Sequence, residues 1–386
     1  MRIYLDNAAT TPIADEVLEA MLPYLKNHYG NPSSTYAEGR TTRAALERAR
    51  KSVADTLNAI GREIFFTSGG TEANNTALKC AVRDLGIGRI LTSPIEHSCV
   101  KNTVKCLENR NLVKVQYVNL EASGKADLGH LNNLLAGDST KTLVTLMHAN
   151  NEIGTLNDIW TIGTLCRKYS ALFHTDTVQT IGHLPIDTQA LEVDFLSGSA
   201  HKLHGPKGVG FLYIKRKIQM GGLIDGGGQE RQMRSGTENV AGIIGFSKAL
   251  SLAVEQLEER KTAIEEVRTY FMQRLKNLLP EVKFNGDPQG DYLPTILSVA
   301  IPTSMPLNML LFNLDLKGVS VSGGSACSSG SVQGSYVTKI LGVNPNYSTI
   351  RFSFSHYNTK EEIDRLIHIL SLLLKPTGKA ASSTSI

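Results

Sequence analysis

The residues with the clearest capacity for chemistry surround Lys202, in a stretch of small residues and two histidines. Residues 197–208 have the sequence Ser-Gly-Ser-Ala-His-Lys-Leu-His-Gly-Pro-Lys-Gly, and the apolar segments 193–196 and 209–214 on either side predict strands. A lysine amine packed against a bound group is a candidate Schiff-base former, because burial favours its uncharged, nucleophilic form. The ordinary alternative is an exposed loop lysine, since lysine is rarely buried completely.

A carboxylate upstream gives that lysine a candidate partner. Residues 171–175 predict a strand, so Asp176 and Gln179 follow its carboxyl end, where open α/β sheets bind ligands. A Schiff-base lysine with an acidic partner for a pyridinium nitrogen is the pair that pyridoxal phosphate (PLP) requires. Lys202 and Asp176, each at a strand end, together predict a PLP site.

A third segment predicts an anion site of the kind that binds phosphate. The strand 64–67 is followed by Ser-Gly-Gly-Thr-Glu-Ala-Asn-Asn at 68–75 and then by a helix. Backbone N–H groups and the helix dipole favour phosphate at such a helix start, and Thr71 adds a hydroxyl. The glycine spacing matches neither a P-loop nor a dinucleotide motif. A helix start that is merely capped is the alternative.

These segments imply a sheet whose strand ends carry polar residues. Strand and helix signals alternate from about 64 to 214, which is typical of a parallel sheet covered by helices. His97 follows the strand 89–92, and Asn151 belongs to a polar segment after the strand 142–147. The sequence therefore predicts one ligand site at this edge of the sheet.

The rest of the chain predicts a second, smaller domain. A helical stretch from about 240 to 279 is interpreted as the bridge, and after Pro280 short strands and helices predict an α+β fold. We expect a large domain at 13–257, a small domain at 1–12 and 258–374, and a disordered tail at 375–386. The glycine-rich segment before Thr237 either contacts an anion or forms a surface loop.

Composition excludes several classes of protein. The 386 residues are 41% hydrophobic and carry 40 basic against 36 acidic side chains, a balance that favours neither nucleic acid nor an anionic membrane as partner. The first residues lack the apolar core of a secretory signal, and no apolar run approaches the roughly 18 residues of a membrane helix. We therefore expect a protein of the bacterial cytoplasm.

One cysteine differs from the others in its surroundings. The chain has five cysteines and no Cys-x-x-Cys pair, which indicates neither a disulfide framework nor a metal site. Cys80 and Cys166 lie in apolar helical segments and are expected to be buried. Cys327 lies in Ser-Gly-Gly-Ser-Ala-Cys-Ser-Ser-Gly-Ser, residues 322–331, where every neighbour is small. Such a loop suits an exposed thiol that must travel.

Taken together, these motifs resemble the PLP-dependent cysteine desulfurases, of the housekeeping type that supplies iron–sulfur cluster assembly. The resemblance runs from Tyr4 to about Leu374. It implies the aspartate-aminotransferase-like fold, PLP-dependent transferase fold type I, in a homodimer with a sulfur-acceptor protein such as an iron–sulfur scaffold as partner. It also implies L-cysteine as substrate, L-alanine as product and a persulfide on an enzyme cysteine.

The resemblance further implies a role for each site residue. Lys202, His97 and Cys327 are the catalytic residues, with Lys202 as Schiff-base lysine and Cys327 as sulfur acceptor. Arg351 and Asn151 bind the substrate, Arg351 through its carboxylate. The cofactor is held by Gly70, Thr71, His97, Asn151, Asp176, Gln179, Ser199, His201, Lys202 and, from the other subunit, Thr237.

Two other functions stay open on the residues alone. An aminotransferase or a selenocysteine lyase can use the same fold, but an aminotransferase has no need of Cys327 and a lyase prefers selenocysteine. A scaffold or regulatory subunit without activity has no need of Lys202, Asp176, His97 and Cys327 together.

Overall fold

The structure is a computed structural model that describes residues 2–324 and 335–374. Its strands are β1 Ile3–Tyr4, β2 Ile64–Thr67, β3 Arg89–Thr92, β4 Lys114–Tyr117, β5 Thr142–Thr145, β6 Leu172–Asp176, β7 Phe195–Ser199, β8 Gly210–Ile214, β9 Lys283–Asn285, β10 Ile296–Pro302, β11 Val319–Ser320 and β12 Tyr347–Ser353.

Its helices are α1 Asp15–Lys26, α2 Ala37–Thr56, α3 Gly70–Leu85, α4 Ser98–Asn109, α5 Leu128–Ala136, α6 Ile159–Lys168, α7 Val240–Glu255, α8 Leu257–Leu278, α9 Leu307–Leu316, α10 Tyr336–Ile340 and α11 Lys360–Leu373. Three short 3-10 helices lie at Gly61–Glu63, Ala200–Lys202 and Gln229–Gln232.

Seven of the described strands form one sheet in the order β2-β8-β7-β6-β5-β3-β4. The pairs among β7, β6, β5, β3 and β4 are parallel, as the alternating pattern predicts. β8 pairs antiparallel with both β7 and β2, because a short connection returns the chain directly after β7. The sheet is therefore mainly parallel, and β8 is its antiparallel member.

Helices cover both faces of this sheet and bury it. One apolar cluster joins α1, α2, α5, α6 and α7 to the sheet, and another joins α3 and α4 to its opposite face. Strands buried on both sides are near-continuous apolar runs, as β8 is. This burial fixes where each strand ends, and hence where the polar residues after it lie.

A separate apolar cluster holds the smaller unit. It joins Ile3 and Leu5 to α8, β10, α9, β12 and α11. The three-stranded sheet β12-β10-β9 is antiparallel, and β1 pairs with β11. The first residues of the chain thus pack with its last third, and β12 brings Arg351 towards the large sheet.

The residues predicted as a helical stretch, about 240–279, are helical, but they form two helices. These are α7 and α8, which are bent by 74° relative to each other around Gln256. α7 packs against α1 and α2, whereas α8 packs against α11 of the smaller unit. No single helix of the described residues is both long and apolar enough to cross a membrane; the bent pair α7–α8 meets those criteria only when taken together.

A buried ion pair holds the segment that precedes Thr237. Arg50 of α2 donates to both carboxylate oxygens of Glu230, at 2.7 and 2.8 Å, and the backbone N–H of Phe66 donates to the same carboxylate. Both charged side chains are 2% exposed. Glu230, Arg231 and Gln232 all have positive φ, a conformation that non-glycine residues rarely adopt, so this contact offsets local strain.

We expect Glu230→Ala to lower the free energy of unfolding by about 3–5 kcal/mol, because it leaves the Arg50 guanidinium buried without its main partner. Urea unfolding at equilibrium measures the effect. The matched control is Glu47→Ala, which removes an exposed contact to the same guanidinium and is expected to cost about 0–1 kcal/mol. Equal losses in the two variants would contradict this account of the segment.

Candidate active site

A cavity of about 240 Å³ opens where the carboxyl ends of the parallel strands meet the smaller unit. It is lined by the start of α3, the residues after β3, β5, β6 and β7, and Arg351 of β12. This is the edge at which the sequence predicts a ligand site, since parallel strands end side by side there.

The cavity brings together most of the predicted site residues. Those that line it are Gly70, Thr71, His97, Asn151, Asp176, Gln179, Ser199, His201, Lys202 and Arg351. Ala8, Ala9, Asn74, Cys99, Met147, Ala149 and Val178 complete the lining. The structure thus gathers the predicted set in one place, whereas the role of each member stays a prediction.

Two predicted residues are not part of this lining. Thr237 is exposed and lies outside the cavity of its own chain, which leaves its predicted contact with the other subunit as a prediction. Cys327 lies outside the described residues. Arg234 lies in the segment before Thr237, for which the sequence leaves an anion contact open, and it pairs with Glu72 of α3 at 3.0 Å.

Lys202 is half-buried, and its amine faces the cavity from the 3-10 helix after β7. Its Nζ donates to the backbone oxygens of Ala8 and Ala9, at 2.6 and 2.7 Å. Gln179 Nε2 donates to the same Ala8 oxygen at 3.1 Å. The segment after β1, which the sequence predicts only as a loop, therefore helps to hold the amine in place.

Asp176 is buried at the end of β6, and both carboxylate oxygens accept a hydrogen bond. Oδ1 accepts from the backbone N–H of Val178 at 2.9 Å, and Oδ2 accepts from the side-chain amide of Asn74 at 2.7 Å. Two hydrogen bonds from different elements hold the carboxyl group in one orientation. The site therefore has a carboxyl group in a fixed position at its base.

The orientation of Asn74 is set by a buried histidine. His174 Nε2 donates to Asn74 Oδ1 at 3.0 Å, and Thr145 Oγ1 donates to His174 Nδ1 at 2.8 Å. Burial lowers the pKa of His174 to about 4, so the ring is neutral and one nitrogen donates while the other accepts. Asn74 then directs its NH₂ group towards Asp176. This relay is not among the features predicted from the sequence.

His97 and Cys99 form a second contact pair at the site. His97 caps α4, where its Nδ1 accepts from the backbone N–H of Cys99 at 3.3 Å and lies 2.9 Å from Cys99 Sγ. Burial lowers the pKa of His97, with the charge of Lys202 adding to the effect and that of Asp176 opposing it. His97 is therefore neutral at physiological pH.

The start of α3 forms a cradle that only glycine permits. Gly69 has a φ of +152°, and a Cβ at Gly70 would lie 2.5 Å from Val178 Cγ2. The first backbone N–H groups of a 16-residue helix point into this space, next to Ser199 and Thr71. The cradle suits an anion, as the sequence predicts.

Arg351 is 2% exposed and reaches the cavity from β12. Its terminal nitrogens donate to the backbone oxygen of Asn151 and to Asp6 Oδ1, both at 2.7 Å. Arg351 Nε and Asn151 Oδ1 are buried and have no hydrogen-bond partner among the described residues. Such unpaired groups are costly unless a ligand meets them.

The ligand atoms of His97, Cys99 and Asp176 lie within 4.8 Å of one another, close enough for a metal ion. The sequence predicts no metal site, and this cluster is not among the predicted sites. Hydrogen bonds within the protein already engage His97 Nδ1, Cys99 Sγ and both Asp176 oxygens.

Comparisons with known proteins identify the family to which this site belongs. The Aminotransferase class-V model matches residues 3–366. Cysteine desulfurase IscS of Dictyoglomus turgidum is 41% identical over 377 residues, which cover 97% of this chain and 94% of that protein. The chain belongs to the cysteine desulfurases of this family. Cysteine desulfurase of Rattus norvegicus is 41% identical over 370 residues, 94% of this chain and 80% of that protein.

Solved structures confirm the predicted fold class of this cysteine desulfurase. A NifS-like protein matches with a TM-score of 0.90 and 38% identity, covering 97% of this chain and 99% of that one. SspA in complex with cysteine matches with a TM-score of 0.79 and 32% identity, covering 93% and 100%. The chain has the α/β architecture of PLP-dependent transferase fold type I.

Proposed function

We propose that this cysteine desulfurase uses PLP to convert L-cysteine into L-alanine and transfers the sulfur to Cys327, from which it supplies iron–sulfur cluster assembly. The observation that carries the proposal is that Lys202, Asp176, His97 and Arg351, which come from distant parts of the chain, line one cavity. Relatives that share about 40% of the sequence are cysteine desulfurases, and a structural neighbour was solved in complex with cysteine.

The cavity fits PLP on three separate features. The glycine cradle at the start of α3 offers N–H groups to a phosphate, and a side chain at Gly70 would fill that space. The charged Asp176 suits a pyridinium nitrogen, and the Lys202 amine suits an aldehyde carbon. Thr71, Ser199, His201 and, from the partner subunit, Thr237 would complete the phosphate site, with Gln179 at the phenolic oxygen and Asn151 beside the ring.

When bound, PLP supplies an electron sink that makes the α-proton of an amino acid acidic. Lys202 Nζ would be the base that removes this proton, because the backbone oxygens of Ala8 and Ala9 hold it and it is the one lysine among the described residues that line the cavity. His97 covers one side of the site and is neutral. Asp176 is held in position by two hydrogen bonds.

Arg351 would bind the substrate carboxylate. Its guanidinium is held by Asp6 and the Asn151 backbone, while Nε remains unpaired. A substrate carboxylate in the cavity would accept a hydrogen bond from Nε and would compete with Asp6 for the positive charge of the guanidinium. Two parallel hydrogen bonds from the guanidinium would then fix the direction of the carboxylate. The same contact would orient the substrate in the cavity that Lys202 also lines.

The sulfur step needs a nucleophilic thiol, and Cys327 is our candidate. The Cys327 thiolate attacks the substrate sulfur, so an S–S bond forms and the Cβ–S bond breaks. Cβ keeps the electron pair and takes a proton, which gives the methyl group of alanine. The residues flanking segment 325–334 support this role: Ser335 donates to the Glu152 carboxylate, and a Cβ at Gly324 would lie 2.6 Å from the same group.

Gly324 and Ser335, the described residues on either side of 325–334, thus both approach Glu152, the chain neighbour of the cavity residue Asn151. The proposed partners are a second copy of the chain and a sulfur-acceptor protein, with neither nucleic acid nor membrane. That the protein acts in the cytoplasm remains a prediction from the sequence.

The alternatives differ in products, which gives the test. Purified protein is incubated with L-cysteine and a reductant, or with L-selenocysteine, or with L-alanine and a 2-oxo acid. We expect alanine and sulfide from L-cysteine. Faster turnover of selenocysteine would favour a lyase. Transfer of the amino group by a variant that lacks Cys327 would favour an aminotransferase.

We expect Asp176→Asn to slow exchange of the α-proton of L-cysteine with solvent at least about a hundredfold, because the neutral amide no longer stabilises a protonated pyridine nitrogen. Exchange into deuterated water is followed by mass spectrometry of recovered substrate. The matched control, Asp225→Asn, changes an exposed carboxylate and should exchange at the wild-type rate. Unchanged exchange in Asp176→Asn would make Asp176 purely structural.

A further inference from the structure

Cys99 occupies a position that no part of the proposed reaction uses. It follows His97 on the first turn of α4 and lines the cavity. Its sulfur lies 2.9 Å from His97 Nδ1 and 3.2 Å from Asn74 Nδ2. It is therefore the one described side chain that contacts both the histidine over the site and the amide that holds Asp176.

The donors and acceptors in these two contacts of the sulfur follow from the other hydrogen bonds of Asn74 and His97. Asn74 Nδ2 is a donor, because Asn74 Oδ1 already accepts from His174. The sulfur is thus an acceptor towards Asn74. His97 Nδ1 accepts from the Cys99 backbone N–H and so carries no proton. The thiol hydrogen is then the donor towards Nδ1.

The thiol stays protonated in this environment, which the assignment requires. Burial and the negative charge of Asp176 raise the pKa of Cys99 to about 12, against the smaller opposing effect of the Asn74 and Thr71 contacts. The nearby Glu96 also raises the pKa of Cys99. Cys99 is for that reason unsuited to act as a second sulfur acceptor, since the thiolate is the nucleophile.

We propose that Cys99 is a positioning residue, whose thiol joins His97 to the Asn74–Asp176 pair and holds the imidazole with Nδ1 as acceptor and the proton on Nε2. His97 Nε2 has no hydrogen-bond partner among the described residues. A hydrogen-bonded path then runs from Thr145 through His174, Asn74 and Cys99 to His97, and it branches to Asp176. The orientations of His97 and Asp176 are coupled.

Without the thiol, His97 would keep only the 3.3 Å contact to the backbone N–H. That contact is long for a hydrogen bond between nitrogen atoms and leaves the ring free to protonate at Nδ1. The charged groups that face the ring shift its pKa in opposite directions: Asp176 raises it and Lys202 lowers it. The presence of the S–H donor therefore decides how readily Nδ1 takes a proton.

The test compares Cys99→Val, which puts a slightly larger apolar side chain in place of the thiol and removes its hydrogen bonds, with Cys99→Ser, which keeps a donor and an acceptor. The matched control is Cys106→Val, later on the same helix face. Full-length holoenzyme labelled with ¹⁵N-histidine is titrated without L-cysteine, and His97 is assigned as the signal that disappears in His97→Gln. Long-range ¹H–¹⁵N spectra report which ring nitrogen is protonated.

We expect wild type, Cys99→Ser and Cys106→Val to show the Nε2–H form of His97 across the neutral range. Cys99→Val should show a ring that protonates at higher pH, since no thiol stabilises the unprotonated Nδ1. The same spectrum for His97 in Cys99→Val and wild type would overturn the proposal, because the backbone contact would then suffice.

Activity supplies a second readout, and this part alone rests on the proposed function. Cys99→Val should lower kcat for L-cysteine about tenfold with KM changed less than about twofold, and Cys99→Ser should restore kcat to within about threefold. An equal loss of kcat in Cys99→Ser and Cys99→Val would assign the effect to packing and overturn the positioning role. If wild type makes no alanine, the desulfurase proposal fails while the histidine spectra still decide the role of Cys99.

Discussion

Cys327→Ser is expected to retain the cofactor and bind L-cysteine, yet to release sulfide at least about a hundredfold more slowly than wild type. A serine hydroxyl stays protonated where a thiol ionises, so it is a far weaker nucleophile towards sulfur. Glycines at 323, 324 and 330 allow backbone conformations that other residues avoid. Sulfide is measured colorimetrically with a reductant present.

Serine variants of the other four cysteines are the controls for this prediction. Cys80 and Cys166 are buried, and burial raises the pKa of both thiols, so neither supplies a thiolate at neutral pH. The Cys80→Ser, Cys166→Ser, Cys99→Ser and Cys106→Ser variants should keep sulfide production if folded. Full sulfide production by Cys327→Ser, or a persulfide mapped to Cys99 or Cys106, would contradict the assignment.

Lys202→Ala is expected to abolish turnover, with a loss of at least about a thousandfold, because it removes both the covalent anchor and the base for the α-proton. Borohydride reduction of wild type, followed by peptide mass mapping, should place a pyridoxyl adduct on Lys202. The same treatment of the variant should leave no adduct on any lysine.

Lys207→Ala is the matched control, since Lys207 is an exposed lysine in the same loop. It should retain the adduct on Lys202 and the wild-type rate. A pyridoxyl adduct on Lys207 in the wild type, or none at all, would defeat the assignment of Lys202.

The positions of Lys202 and Asp176 were predictable because strand ends have a sequence signature. Apolar runs that end in polar residues mark β6 and β7, and the carboxyl ends of parallel strands share one edge. β8 has the same apolar signature, but its direction depends on the length of the preceding loop. A pattern of hydrophobicity alone therefore predicts the sheet better than the direction of each strand.

Other features of the site have no local signature. The Lys202 amine is held by backbone oxygens of Ala8 and Ala9, and any residue type offers such an oxygen. Asn74 lies within the predicted phosphate motif, but its contact with Asp176 depends on His174 in the middle of a buried strand. A polar residue in such a run was the signal that could have indicated the relay.

Long-range contacts limit the prediction of the fold in the same way. Arg50 and Glu230 are 180 positions apart, so nothing in either segment indicates their pairing. The bend between α7 and α8 falls at Gln256, without glycine or proline to mark it. It arises because the two helices pack in different apolar clusters, which only the assembled fold determines.

The most direct test of the central claim is a single turnover with ³⁴S-labelled L-cysteine and no reductant. Alanine is quantified, and the protein is digested under conditions that preserve persulfides and mapped by mass spectrometry. We predict one alanine for each labelled sulfur, with the label on the peptide that contains Cys327. Alanine without label on Cys327, or labelled sulfide released with pyruvate in place of alanine, would contradict it.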